Sequence, residues 1–155
     1  MSGVYTVQFT AVAVTAAQDL FEIVAASGKP VVLLGFGLSQ STELGDTAEE
    51  QLSIVVKSGQ TTSGSGGSSV TPVANDSSQA AASFTAEANN TTKASAGTIV
   101  THYPYNWNVR MPLDILYPEP MQLLMAASRR MTIELVGAPT DSITISGYAV
   151  VQEIG

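Results

Sequence analysis

The chain of 155 residues contains no cysteine, so neither a disulfide framework nor a thiolate metal site can support its fold, which must depend on packing. Its net charge is -7, and its six lysines and arginines form no basic stripe, which argues against nucleic acid as a partner. Charged residues make up only 12% of the chain, and so neutral a surface favours an oligomer in which part of that surface is covered.

Alternating apolar residues predict strands in the first third of the chain. The opening segment VYTVQFTAV alternates Tyr5, Val7 and Phe9 with polar residues, which is typical of a half-buried strand. Gly28 and Pro30 then separate two apolar runs from each other. Further strands are predicted at residues 20–25, 31–38 and 52–57.

The run VVLLGFGL at residues 31–38 is apolar on both faces. Such a run indicates either a central strand of the sheet or a strand buried at a subunit interface. It is much shorter than the roughly 18 residues that span a bilayer, and the N-terminus lacks the pattern of a signal peptide, so we expect no membrane partner. The candidate contacts between copies of the chain are Val32, Leu34, Phe36 and Leu38.

Composition changes at residues 59–76, GQTTSGSGGSSVTPVAND. A stretch so rich in Gly, Ser and Thr has no apolar face to bury, which predicts a long flexible loop or arm without regular secondary structure. As a flexible chain it would span about 20 to 25 Å, enough to reach a neighbouring subunit. Residues 77–90 mix alanine with polar residues and predict either a short helix or an irregular strand.

Strand patterns return in the second half of the chain. Prolines at 112, 118 and 120 confine the segment LDILYPEP to an edge or a turn. Strands are predicted at residues 98–101, 106–111, 131–135 and 143–151. About eight short antiparallel strands without an amphipathic helix predict an all-β, jelly-roll-like sandwich or barrel, with residues 1–155 forming a single β-sandwich domain.

Residues able to support catalysis are few. His102 is the single histidine, which excludes a site built from two histidines, and no G-x-S-x-G elbow accompanies it. The glycine-rich stretch lacks the lysine of a phosphate loop. We therefore expect no enzymatic active site, no metal and no cofactor, and interpret His102 as a turn residue.

An acidic turn precedes the strand at residues 52–57. It contains Glu43, Asp46, Glu49 and Glu50, whose carboxylates could coordinate calcium. Their spacing is not that of an EF-hand, and a solvated acidic turn is the interpretation we favour.

The segment HYPYNWNVR holds an unusual group of aromatic residues. Tyr103, Tyr105 and Trp107 occupy alternate positions, so they share one face of a strand, and Arg110 follows closely. Tryptophan, tyrosine and arginine are common at the centre of protein interfaces, which makes these four residues candidates for partner binding or for stacking on a sugar. The alternative is that the rings close one end of the barrel.

Several segments together resemble small proteins encoded beside the structural genes of tailed bacteriophages. They are the opening VYTVQFTAVAVTAAQDLFEI, the central TTSGSGGS, FTAEANNTT with SAGT, and the closing SITISGYAVVQE. The resemblance covers most of the chain. It implies a capsid decoration, or cement, protein with a jelly-roll-like fold that binds neighbouring major capsid subunits on the outside of the head.

The leading expectation is therefore a structural virion protein, located on the exterior of the capsid, that forms a homo-oligomer, with a trimer expected. Its partners would be the major capsid protein and further copies of itself. An alternative is a tail-tip or head-fibre module that binds host carbohydrate through Tyr103, Tyr105 and Trp107. A hydrolase using His102 is a third class of function.

Overall fold

The computed structural model describes residues 2–42 and 50–155, which form an all-β structure. Within these residues the single helix is a three-residue 3-10 turn, and no helix is long and apolar enough to cross a membrane. The described strands are β1 (Gly3–Val14), β2 (Gln18–Val24), β3 (Val31–Gln40), β4 (Gln51–Thr62), β5 (Ser68–Val70), β6 (Val73–Ala74), β7 (Thr85–Asn90), β8 (Ser95–Asn108), β9 (Leu113–Leu116), β10 (Leu123–Met125), β11 (Arg130–Leu135) and β12 (Ile143–Glu153).

The strands pair in a nested order. β1 pairs with β12, β2 with β11, β3 with both β9 and β10, and β4 with β8, always antiparallel. The first part of the chain therefore folds back along the second part like one long hairpin, and rolling up such a hairpin produces a jelly roll. The predicted all-β, jelly-roll-like sandwich is confirmed.

The hairpin is rolled into two packed sheets. Sheet 1 has the order β10-β3-β12-β1-β6, with β9 also paired to β3, and sheet 2 has the order β5-β7-β2-β11-β4-β8. Two of the eight predicted strands, at residues 98–101 and 106–111, fall on the single strand β8, where the second overlaps only residues 106–108. The position of β9 and β10, which the turn Glu119–Met121 separates, was predicted only as an edge or a turn. The additional strands β5, β6 and β7 lie in the connection between β4 and β8.

The segment predicted as a flexible arm, residues 59–76, is instead part of both sheets. β4 continues to Thr62, β5 pairs with β7 in sheet 2, and β6 pairs with β1 in sheet 1. Thr71 and Pro72 thus carry the chain from one sheet to the other and close one side of the sandwich. The segment is ordered although it is poor in apolar residues, because its polar groups bond to side chains of sheet 2.

Residues 77–90 form no helix, and their second half is the strand β7. This agrees with the irregular strand that was one of the two alternatives for the segment. Ala86 and Ala88 of β7 face the core, where their small side chains fit.

The core lies between the two sheets and is filled by alternate residues of each strand. One cross-strand row of sheet 1 places Ile115, Phe36, Ala149 and Val7 side by side, and the last three are fully buried. Burial of each large apolar side chain contributes about 1.5 to 3 kcal/mol. The run of apolar residues at 31–38 is explained by the position of β3, which has β12 on one side and β9 and β10 on the other.

Hydrogen exchange can test the order of residues 59–76. We expect slow exchange of the backbone amides of Gly64 and Gly67, because each donates a hydrogen bond to a side-chain oxygen of sheet 2. Gly64 donates to Glu22, and Gly67 donates to Asn90. The amide of Gly137, in an exposed turn, is the fast-exchanging control. Exchange at Gly64 and Gly67 as fast as in an unfolded peptide would contradict this structure of the segment and support the flexible arm instead.

Candidate interaction surface

The two sheets differ in the chemistry of their outer faces. In a sandwich, one face of each sheet fills the core and the other face points away from it. On sheet 2 the outer face carries charged side chains, whereas on sheet 1 one part of the outer face is apolar and another part, around Tyr148, is polar. This difference decides which face is open to a partner.

The outer face of sheet 2 holds a network of ion pairs. Arg130 Nε lies 2.6 Å from Glu22 Oε1. Lys57 Nζ and Lys93 Nζ each lie 2.8 Å from a carboxylate oxygen of Glu134. Glu22 and Glu134 are buried, whereas the side chains of Lys57 and Lys93 are 26% and 30% exposed, so the two lysine pairs are only partly shielded from solvent. Although burial opposes ionisation, the hydrogen bonds from the two lysines hold the pKa of Glu134 below its usual value.

Two segments of the chain, residues 63–67 and 91–94, cover this network, and we call them the cover. Ser63 Oγ and Gly64 N donate to Glu22 at 2.7 and 3.0 Å, and Ala94 N donates to Asp19 at 2.7 Å. The two segments are joined by backbone hydrogen bonds between Ser65 and Thr92. The part of the charged face around Glu22 and Asp19 is therefore occupied by the protein's own backbone.

Asp19 is the residue of this network whose charge is least favourable. It is 1% exposed, and burial raises its pKa from 3.8 to about 7, against the hydrogen bond from Ala94, which lowers it. The nearby carboxylates Glu134 and Glu22 add to the rise. Ionised Asp19 is therefore a cost to the folded state at neutral pH.

The outer face of sheet 1 carries apolar cross-strand rows. The register places Leu116, Gly35, Val150, Thr6 and Val73 in one row across five strands. The next row contains Leu124, Val32, Gln152 and Val4. Neither row contains a charged residue.

Three side chains of these rows are exposed to an unusual degree. Leu116 is 82% exposed, Leu124 is 66% exposed and Val73 is 59% exposed. Together with half-buried Leu34 and Val150 they form what we call the apolar face. No described segment of the chain covers these exposed side chains. Exposed apolar side chains grouped on one face are typical of protein interaction sites.

Two of the four predicted oligomer contacts are misplaced. Phe36 and Leu38 point into the protein's own core and are almost fully buried there, whereas Val32 and Leu34 lie outside the core cluster. The reason is a register shift in the pairing with Val150 and Val151, which leaves Leu34 without a partner in β12. This bulge reverses which residues of β3 face outward.

The aromatic row on β8 makes hydrogen bonds within the protein. Trp107 Nε1 donates to Met111 O at 2.6 Å, Tyr105 Oη donates to Tyr117 Oη at 2.9 Å, and Tyr103 Oη donates to Met121 O at 2.9 Å. The rings of Tyr103 and Tyr117 also stack, with centroids 5.0 Å apart. Burial raises the pKa of both Tyr105 and Tyr117, which keeps the two hydroxyls protonated.

The row thus connects the edge strand β8 of sheet 2 to the segment that carries β9 in sheet 1. Trp107 is 2% exposed and belongs to the core, so it cannot anchor a partner in this conformation. This arrangement corresponds to the alternative in which the rings close the barrel. Arg110 is exposed in the turn after β8, where its backbone N–H donates to Asn108 Oδ1.

His102 and Glu50 make local contacts. His102 Nε2 lies 2.7 Å from Ser58 Oγ on the neighbouring strand, so the residue belongs to β8 and not to a turn. Glu50 accepts hydrogen bonds from the backbone N–H and the hydroxyl of Thr140. Glu43, Asp46 and Glu49 of the acidic turn lie outside the described residues. In residues 2–42 and 50–155, no group of three or more His, Asp or Glu side chains is arranged to hold a metal ion.

Exposed Leu116 was missed in the sequence because LDILYPEP predicts only an edge or a turn. A usable signal was present, since Leu113 and Ile115 alternate with Asp114 and Leu116. Leu116 therefore falls on the same outer face as a carboxylate. An apolar residue at a position expected to be polar indicates a contact surface.

Comparison with known proteins identifies no relative. No family model matches the chain, and it matches no curated protein and no solved structure.

Replacing Asp19 tests the account of the charged face. Because the folded pKa lies above the unfolded one, the contribution of Asp19 to stability is fully present below about pH 4 and is lost as the pH rises through about 7. Asp19→Asn keeps an oxygen for Ala94 and has no charge to bury. We expect its melting temperature to exceed that of the wild type by several degrees at about pH 8, with the difference vanishing near pH 4.

Asp76→Asn is the matched control. Asp76 is exposed, and hydrogen bonds from Ser78 lower its pKa, so its replacement should bring no gain in stability at high pH. Thermal unfolding monitored by circular dichroism between about pH 4 and 8 measures both variants. An Asp19→Asn protein that is less stable than the wild type at pH 8 would contradict the account.

Proposed function

We propose that this is a structural virion protein that decorates a bacteriophage head and stabilises it by binding across neighbouring major capsid subunits. The resemblance of most of the chain to proteins encoded beside phage structural genes supports this proposal. So do the jelly-roll topology and the low charge content of 12%. The protein would act on the outside of the capsid.

The apolar face is the observation that carries the proposal. Fully burying a leucine contributes about 1.5 to 3 kcal/mol, and this face presents two leucines and a valine that are each more than half exposed. Covering them would therefore supply several kcal/mol toward association, before the entropic cost of binding is subtracted. An exposed apolar surface of this kind is suited to binding another chain.

We assign the apolar face to contacts between copies of the chain, with a trimer as the expected oligomer. Each copy carries a net charge of -7, so copies repel one another through their charged surfaces. The two apolar rows contain no charge, and contact there brings the copies together with the least repulsion. Val32 and Leu34 lie at this face and remain candidate contacts.

An oligomer also explains how the head would be stabilised. Several copies held together bind several capsid subunits at once, which raises the effective affinity without any new type of contact. A protein that binds the assembled lattice but not the dissociated subunits stabilises the lattice by mass action. Its function is then a binding free energy spread over a surface.

The aromatic row does not favour the carbohydrate-binding alternative at that place. Each of Tyr103, Tyr105 and Trp107 uses its polar atom in a hydrogen bond within the protein. A sugar stacking there would have to displace these contacts. A hydrolase is not favoured either, because the contact of His102 with Ser58 lies in the open surface of β4 and β8 and no described acidic residue contacts the imidazole.

A charge placed in the apolar face tests the assignment. We expect Leu116→Glu to dissociate the oligomer, because contact between copies would bury an unpaired carboxylate. The variant should also lose the ability to protect heads lacking the protein against heat-induced release of DNA. Light scattering measures the mass in solution, and a heat-challenge titration of such heads measures protection.

Met111→Glu is the matched control, since Met111 is 67% exposed and lies outside the apolar face. It adds the same charge and should leave both the oligomer and the protection intact. Circular dichroism establishes that each variant is folded. A wild-type protein that is a monomer would refute the oligomer, and undiminished protection by folded Leu116→Glu would refute the role of the face.

A further inference from the structure

A second feature of sheet 1 is a shallow cleft beside Tyr148, of about 410 Å³. It forms where the pairing of β1 with β12 is interrupted between Phe9 and Val12, at a bulge in which Ala11 has a left-handed φ of 52°. The bulge draws the backbone of β1 away from the regular sheet and leaves a hollow. A volume of this size is sufficient for a small ligand.

One wall of the cleft is the ring of Tyr148, which lies against the backbone of Gly37. A Cβ atom at Gly37 would clash with Cε1 of the ring, so glycine is required for the ring to lie in this position. The Tyr148 hydroxyl donates to Asp114 Oδ1 at 2.8 Å, and this bond raises the pKa of the phenol. The ring is thus fixed in place while 38% of the residue remains exposed.

Polar groups of the outer face surround this ring. The register places Asp114, Gly37, Tyr148 and Gln8 in one row across four strands, and Ser39 beside Ser146 in the next. Gln8 Oε1 accepts from Thr10 Oγ1, and Ser146 Oγ accepts from Ala11 N. Among the described residues, Gln8 Nε2 and Asp114 Oδ2 have no protein partner, which leaves a donor and an acceptor at the cleft.

We propose that this cleft binds a saccharide. A pyranose ring has an apolar C–H face, which stacks on an aromatic ring, and hydroxyls at its rim that both donate and accept hydrogen bonds. Tyr148 supplies the platform, Asp114 a charged acceptor and Gln8 a donor. Ser39 and Ser146 add hydroxyls that act in either sense.

Other small ligands fit less well. An anion such as phosphate would meet the Asp114 carboxylate, and no lysine or arginine lines the cleft. A divalent metal ion prefers several carboxylate or carbonyl ligands, and Asp114 is the single carboxylate of the lining. The neutral, hydroxyl-rich class of ligand remains.

The site goes beyond the proposed role on the head and uses other residues than the apolar face. The row of Asp114, Gly37 and Tyr148 lies two residues along β3 from the row of Gly35 and Leu116, or about 7 Å, so the cleft adjoins the apolar face.

Titration with simple sugars tests the proposal. The probes are the methyl pyranosides of glucose, galactose, mannose and N-acetylglucosamine, each added to ¹⁵N-labelled protein up to about 20 mM, a range suited to the millimolar affinity of single sugars. We expect at least one probe to shift the amide signals of Gly37, Ser39, Ser146 and Tyr148. No response to any of the four, or responses that cluster elsewhere, would overturn the proposal.

Variants identify the contacts. Tyr148→Ala should weaken binding at least about tenfold because the platform is lost, and Gln8→Ala, at an exposed position, should weaken it without risk to the fold. Leu124→Ala, on the same sheet but outside the cleft, is the control and should bind normally. Unchanged affinity in both Tyr148→Ala and Gln8→Ala would refute the site. If Gln8→Ala loses sugar binding but still protects heads, the saccharide site and the proposed decoration role are shown to be independent of each other.

Discussion

A two-layer sandwich can bury only one face of each sheet, and the structure is organised around what happens to the two faces that remain. Sheet 2 has a charged outer face, where Glu22 and Glu134 are paired with Arg130 and two lysines beneath the cover. Sheet 1 has an outer face that is apolar in part, and the exposed leucines of that part have no cover among the described residues. The protein covers part of the outer face of sheet 2 with its own residues 63–67 and 91–94, and we infer that another chain covers the apolar face of sheet 1.

The cover shows how a segment of low hydrophobicity becomes ordered. Residues 63–67 bury no large apolar side chain, but their N–H and hydroxyl groups bond to Glu22 and Asn90. Hydrogen bonds to a carboxylate are about twice as strong as neutral ones, and small residues allow the backbone to approach the sheet closely. The carboxylates of sheet 2 therefore hold the cover in place. Burial of Asp19, together with the nearby carboxylates of Glu134 and Glu22, raises its pKa, so keeping Asp19 ionised destabilises the folded state.

The sequence was sufficient for the architecture because side-chain alternation reports burial directly. The strands around Tyr5, Ile133 and Ile145 and the jelly-roll class were predicted in this way. Composition failed at residues 59–76, since it measures apolar content and not hydrogen bonding to distant acceptors. Alternation failed at Phe36, because a one-residue bulge at Leu34 exchanges the two faces of β3. The partner of Tyr103 was not predictable either, because Met121 lies 18 residues further along the chain, in a turn that no local pattern connects to β8.

The central claim, that the apolar face of sheet 1 is covered by another chain in the working assembly, is tested most directly by electron cryo-microscopy of heads that carry the protein. The account predicts that Leu116, Leu124 and Val73 are buried against another polypeptide chain, while residues 63–67 keep their contacts with Glu22. A map in which those three side chains face solvent, with the protein attached to its neighbours by other surfaces alone, would contradict it.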